Sequence, residues 1–488
     1  VTGTGPKGKR RGGIRGFSSR PLAVSRLTAL IIAASAIAAP ACAYALLAAG
    51  PGAVPGGCLR DASVPSASEP QCGDQAVGLL GATALAASPD GRSVYVASMD
   101  SDALVALHRG ASGALHPVLA PSSRSCVTAP EHSVCAQRAS GLGGADAVVV
   151  SPDGRNVYAG SLDSAAIVAF GRTPGGLLVP LRGRGACVQG NPIAPGDGGR
   201  CALHARAMEA VSSLAISPDG RFVYALSFGT IAGADSLVTL RRDPRTGALS
   251  EVSEDHGGCV VPLGNSTCRS HAAGMRGASD VVVTADGRFV YVTGELSSAV
   301  VALARNRHTG TLAPLHGSGG CAEDIATPPA SGDARCVVLV PGLGGAKALA
   351  ISPGGGFVYV ASFDPGGVAV LARNPATGTL GPVPGAGACL TPTGPAPPPA
   401  GCTAIDGLRG ATALALTPAG TALYVATTTG DAVLRIDRDP GTGLLGAVAP
   451  PHQIEGLNAP AAMALMPDGR NLYLASPIDD ALLSLTAG

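Results

Sequence analysis

Five charged residues stand where the surrounding, repeated sequence mostly places small or neutral ones: Asp146, Glu209, Arg276, Lys347 and Arg409. A carboxylate facing arginines has definite chemical uses. It can take a proton from water, while a guanidinium fork holds a carboxylate or steadies a developing oxyanion. With Glu209 or Asp146 as base and Arg276 and Arg409 as partners, such a group would serve a hydrolase or hold an anionic sugar. Lys347 adds a cation. His204 and His271 lie shortly ahead of Glu209 and Arg276 and extend the ligand-binding set. The competing reading is that these are solvated rim charges that pair with one another.

The positions matter because of the repeat that carries them. LAISPDGRFVYALS (Leu214–Ser227) reads as two short strands joined by an Asp219-Gly220 turn, in which Asp tolerates positive φ and Gly adopts it freely. The same hairpin recurs at Leu85–Ser98, Val148–Ser161, Val281–Gly294, Leu349–Ser362, Leu414–Thr427 and Met463–Ser476. Seven of the eight tyrosines fall in one slot of its second strand: Tyr95, Tyr158, Tyr224, Tyr291, Tyr359, Tyr424 and Tyr473. Recurrence at a fixed slot is the signature of a repeat architecture.

Packing demands that scaffold positions repeat, so a site must break the symmetry. Five residues before the Ser/Thr of each turn motif the chain reads Thr83, Asp146, Ser212, Ser279, Lys347, Thr412 and Ala461. Three residues earlier it reads Leu80, Gly143, Glu209, Arg276, Gly344, Arg409 and Asn458. These two slots carry the five charges. The recurrent Asp90, Asp153, Asp219, Asp286 and Asp468 are turn residues. The acids between the second and third strands, such as Asp100, Asp102, Asp163, Asp235, Glu295, Asp364, Asp431, Asp479 and Asp480, read as ordinary polar turns on the same face as the two slots.

Each hairpin is followed by a third apolar run, a Thr-Gly turn such as Asn306–Gly310, and a short fourth run such as Thr311–Leu315. Four antiparallel strands per unit, recurring roughly every 65 residues, predict an all-β seven-bladed propeller. Strands covered on both faces by neighbouring blades suit a composition that is 46% hydrophobic and only 14% charged. The seventh unit ends after its third strand. The proline spacing that marks a fourth strand (Pro180, Pro314, Pro382) places another at the front of the chain, near Ala45–Val54. That strand is expected to complete the last blade, so that the ring leaves no large open edge.

Twelve of the 13 cysteines form couples ahead of the first six hairpins: Cys58/Cys72, Cys126/Cys135, Cys187/Cys201, Cys259/Cys268, Cys321/Cys336 and Cys389/Cys402. Tandem regularity makes local disulfides the simplest pairing. Each bridge would close a short loop between blades and contribute on the order of 3 kcal/mol. No CxxC occurs and histidine does not recur at ligand spacing, so no metal site and no cofactor are read. Residues 1–43 read as a basic leader with an apolar core and an Ala-Cys-Ala cleavage site. The mature propeller then spans 44–488, exported and oxidised. The other reading of the leader is an uncleaved anchor helix, which alone would bring a membrane into play. A net charge of +1 leaves no footprint for nucleic acid.

The repeats resemble the YVTN and lactonase-type seven-bladed propellers, a group that includes 6-phosphogluconolactonase-like proteins. The residues that carry the resemblance are SPDG-x-x-VYVAS (Ser88–Ser98), YVTG (Tyr291–Gly294) and the turns Arg305–Leu312 and Arg373–Leu380. These are turn and packing residues. The resemblance therefore implies architecture, and His, Glu and Arg at a channel mouth are not transferable by motif. No G-x-S-x-G elbow is present, and Gly-Leu-Gly-Gly at 141–144 and 342–345 precedes strands, as a turn does. Two functions follow. The first is an exported binding module presenting a loop-rich channel face to a small molecule, glycan or protein. The alternative is a lactonase-like hydrolase.

Overall fold

The computed structural model describes residues 55–64, 72–190, 201–229, 235–253, 257–327, 335–364, 366–394, 397–449 and 458–487. Two compact units divide the chain, Val1–Gly50 and Pro51–Gly488, and only the second contains described residues. The leader expected at 1–43 and the strand expected at 45–54 lie outside them.

The described residues form seven sheets built on the seven hairpins, with no α-helix among them. Blade four shows the plan. Its innermost strand Ala278–Val283 pairs with Phe289–Gly294, which pairs with Ala299–Arg305, all antiparallel. The innermost strands touch their neighbours in order around the ring, and Ala462–Leu465 of blade seven touches Ala82–Ala87 of blade one. Seven apolar clusters fill the seams, each drawing on two adjacent blades. Tyr224 and Leu226 of blade three, for example, pack with Val290, Val292 and Val301 of blade four. Full burial of a Val or Leu is worth about 1.5–3 kcal/mol, so the seams hold the ring together.

The fourth strand of a blade is split. In blade four Leu312–Pro314 pairs with the far half of Ala299–Arg305, and Cys321–Asp324 pairs with its near half. A further strand, Val338–Val340, then adds in parallel to Cys321–Asp324. Blade six has four strands and no disulfide.

All six expected cysteine couples are bonded: Cys58–Cys72, Cys126–Cys135, Cys187–Cys201, Cys259–Cys268, Cys321–Cys336 and Cys389–Cys402. Their surroundings differ from the expectation and require a correction, because the bridges join strands of the sheets and do not merely close loops between blades. The first member of each couple lies in the near half of the fourth strand, as Cys187 does in Cys187–Gln189 and Cys389 in Cys389–Pro392. The second member leads into the parallel strand beside it. Cys72, Cys135, Cys201, Cys268 and Cys336 each stand two residues ahead of that strand. Cys402 is the exception, opening Cys402–Ile405 directly opposite Cys389. The physical reason is adjacency: parallel neighbours hold the paired Cα atoms 4.4–5.9 Å apart, the span a disulfide bridges.

Ring closure uses the N-terminal side of the described chain, as expected of the last blade. Pro55–Asp61 pairs antiparallel with Ala481–Thr486 and completes blade seven. Cys58 faces Leu483, the third residue of its strand, just as Cys321 faces Val301, the third residue of Ala299–Arg305. The closing strand is therefore the cysteine half of the split fourth strand. The half to which the proline spacing points, near 45–54, lies outside the described residues.

Candidate functional site

Six innermost strands carry a β-bulge near their N-terminal ends. The interrupted register falls at Thr83, Asp146, Ser212, Ser279, Lys347 and Thr412, the first of the two symmetry-breaking slots. A bulge leaves one residue outside the ladder and re-aims its side chain. Here the side chains reach towards the next blade. Ser279 Oγ donates to Lys347 O at 3.0 Å, and Thr412 Oγ1 lies 3.1 Å from Pro460 O. Below this ring the innermost strands present partly exposed Ala, Leu, Val and Ile, so the bulges form a polar collar on an apolar channel.

Asp146 and Lys347 are the two charged residues at the bulge positions themselves. Asp146 is partly buried. Desolvation pushes its carboxyl up to about 7. The Thr83 hydroxyl and the Lys347 ammonium pull it down, and Asp163 adds to the rise. Lys347 Nζ is 2.8 Å from Glu295 Oε2 in the adjoining blade. Asp280, next to the Ser279 bulge, is a further acid of the collar and also titrates high through desolvation. It is tempered by N–H donors from Leu349 and Val281, each at 2.8 Å, and by the Ser213 hydroxyl at 3.0 Å. The spacing argument passed over Asp280. Its signal was there one residue further on, where the other blades have Ala or Ser.

The second slot forms the lip above the collar. Glu209 is partly buried, and its backbone N–H donates to Ser227 Oγ at 2.7 Å. Arg276 is partly buried, its N–H donates to Ser297 Oγ at 3.1 Å, and its side-chain Nε is buried without a hydrogen-bond partner among the described residues. Arg409 is exposed. The structure thus separates the five charges into two levels, with Asp146 and Lys347 in the collar. His204 and His271 lie elsewhere. They sit exposed on Leu203–His204 and Ser270–Ala272, the outermost strands of blades two and three. At about 4.8 Å per strand, they stand four strand spacings from the innermost strand of their own blade.

The turn acids on this face have structural work. Asp102 Oδ1 accepts the N–H of Gly144 in the next blade at 2.6 Å, Asp235 that of Gly277 at 3.0 Å, Asp431 that of Ala459 at 2.7 Å and Asp480 that of Gly81 at 2.8 Å. At the opposite end of the blades, a concavity of about 440 Å³ opens between blades three and four. Its charged lining includes Asp219 and Arg305, which are already paired at 3.0 Å, so it reads as a gap between turns.

The fold and its collar define a seven-bladed β-propeller that resembles the lactonase-type family. The family described as lactonase, 7-bladed β-propeller, matches residues 265–393, a stretch containing Asp280, Glu295 and Lys347. No curated protein sequence matches the chain. Among solved structures, the periplasmic gluconolactonase of Pseudomonas aeruginosa is similar at 20% identity and TM-score 0.50, over 77% of this chain and 86% of that one. A protein of Bacteroides uniformis described as a putative 6-phosphogluconolactonase is similar at 21% identity and TM-score 0.51, over 78% and 86%.

Proposed function

We propose that the chain is an exported lactone hydrolase whose reaction takes place at the collar, with Asp146 as general base. The observation that carries the reading is a carboxylate in the channel held near pH 7, the range in which a base is partly free yet still strong enough to accept a proton. Asp146 takes a proton from a water as its oxygen adds to the lactone carbonyl. The carbonyl oxygen becomes an oxyanion, and the cationic groups at the mouth, Lys347 and Arg276, are the candidates to offset its charge. Collapse breaks the ring C–O bond. The proton on Asp146 passes to the leaving alkoxide, so lactone and water become one hydroxy acid. Glu209 is the other candidate base, and Arg409 a further anchor for substrate carboxylate or hydroxyl groups.

The lactonase family match and the two lactonase-named propellers favour this reading over a binding module. Six disulfides suit an oxidising compartment. Among the described residues no helix is long and apolar enough to cross a membrane. An unphosphorylated aldonolactone is the substrate class that fits an exported enzyme. The test is turnover of a lactone panel by the oxidised protein, followed by titration of the released acid. We expect a rate that rises with pH through about 7 and falls at least a hundredfold in Asp146→Asn, in line with the usual contribution of a general base. No turnover, or full activity in that variant, overturns the assignment.

A further inference from the structure

We propose a divalent-cation site on the channel face at the seam of blades one and two, formed by Asp102, Glu131 and His132. One ligand atom from each of the three lies within 4.8 Å of the other two, close enough for a single ion to bridge them. The sequence hides the site because its members come from two stretches with no ligand spacing between them. Asp102 belongs to a blade-one turn, and Glu131 and His132 belong to the loop closed by Cys126–Cys135.

Both halves are fixed independently of any ion. The Gly144 N–H holds Asp102 Oδ1 at 2.6 Å, which leaves Oδ2 turned to His132 Nε2 at 2.6 Å. The loop is anchored beside that turn by Ala129 N–H donating to Asp102 O at 3.0 Å, and His132 O accepts from Arg138 Nε at 2.9 Å. The disulfide and these bonds keep the loop over the aspartate, so the ordering needed to bind is largely done beforehand.

The same molecule supplies a control. Cys259–Cys268 closes a loop of the same length in blade three, and Asp235 there makes the same capping bond to Gly277. Its residues aligned with Glu131 and His132 are Gly264 and Asn265. The capping carboxylate is therefore scaffold, and the Glu-His pair is an addition that the scaffold does not require. One imidazole nitrogen with two carboxylate oxygens suits a first-row transition ion such as Zn²⁺, Ni²⁺ or Co²⁺ better than Mg²⁺ or Ca²⁺, which prefer all-oxygen shells. Water would fill the remaining positions.

The test uses untagged, disulfide-intact protein stripped with EDTA and titrated with ZnCl₂ by calorimetry and with CoCl₂ by visible absorption. We expect one saturable site, weakened about tenfold or more in both Glu131→Gln and His132→Asn. The site is unchanged in His116→Ala, a surface histidine 3.8 Å from Asp74 that controls for adventitious imidazole binding. Circular dichroism of each variant, together with thermal midpoints without metal, separates loss of ligation from loss of fold. Absence of saturable binding, or binding that survives both ligand substitutions, overturns the proposal.

Discussion

The two ends of the propeller are built on opposite rules. At the end with the Asp-Gly turns, one arrangement is written again and again. An arginine closing the third strand of six of the seven blades reaches the tyrosine and the turn of the blade before it. Arg242 bonds Tyr158 Oη at 2.9 Å, Gly220 O at 2.9 Å, Asn156 Oδ1 at 2.6 Å and Asp153 at 2.8 Å. Arg172, Arg305 and Arg373 do the same with Tyr95, Tyr224 and Tyr291, and Arg109 carries the pattern across the closure to Asp468 and Asn471 of blade seven. The tyrosine hydroxyl in turn donates to the Thr-Gly turn of the following blade, as Tyr224 does to Gly310 O at 2.9 Å. That glycine has φ near +79°, and a Cβ on it would run into Phe222. At the channel end the bulge slot holds Thr, Asp, Ser, Ser, Lys, Thr and Ala in turn. Sameness marks the scaffold, and difference marks the candidate site.

The repeated end contains its own controls. Blade five has Gly354 where five other blades have the turn aspartate, yet Arg438 still bonds Tyr359 Oη and Gly420 O and lies 5.5 Å over the Phe357 ring. The aspartate is thus dispensable while the arginine has other partners. At the seam of blades six and seven everything goes together: Ala419 replaces the aspartate, Ala422 the Asn, Ser or Phe, and Ala487 the arginine. A buried guanidinium with half its partners missing costs more than none at all, which accounts for the joint loss.

Three substitutions separate the two ends. Arg242→Ala should have the largest effect. It strands Asp153, Asn156 and Tyr158 around a side chain that is 1% exposed, and equilibrium urea unfolding should show a loss of about 3–5 kcal/mol. The next in size is Asp146→Asn. The Asp146 carboxyl has its folded pKa raised to about 7 from 3.8. Its contribution to stability is therefore full below the unfolded value and is lost as pH rises through 7. The wild-type thermal midpoint should fall between pH 5 and pH 8 by more than that of Asp146→Asn, and the variant should be the more stable at pH 8 by roughly 1–3 kcal/mol. Smallest is Gly354→Asp, which restores the missing turn carboxylate opposite Arg438. A Cβ there meets nothing within 4 Å. The gain should be below about 1 kcal/mol, as for part-exposed pairs, and should shrink in high salt. Equal effects of Arg242→Ala and Asp146→Asn on unfolding would erase the distinction between the ends.

The hairpins were legible because local chemistry and final packing agree. The glycine of Asp-Gly takes the positive φ, the second run of each hairpin is buried on both faces, and the tyrosine recurs because each one packs at a seam. The disulfide partners were legible for the same reason of register, since each couple repeats at one place in its unit. The strands that hold them were not. Segments such as Cys321–Asp324, and the short parallel strands that follow Cys72, Cys201 and Cys336 or open at Cys402, sit in polar, glycine-rich surroundings. Their pairing is set by the neighbouring strand and the bridge rather than by propensity. Of the candidate site, the slots carrying Asp146 and Lys347 could be found by counting. Their placement in a bulge ring, the nearness of Glu295 and Asp280, and the outward displacement of His204 and His271 depend on how blades face each other, which no single repeat encodes.

Pairing Pro55–Asp61 with Ala481–Thr486 has a consequence for biogenesis. The strand that leads the described chain meets its antiparallel mate only after six sheets have been synthesised. Until then the molecule is an open crescent with two unprotected β edges, a form that invites pairing with other chains. A chain that stops short of Ala481 would remain such a crescent, because the ring can close only once the last strand has been made.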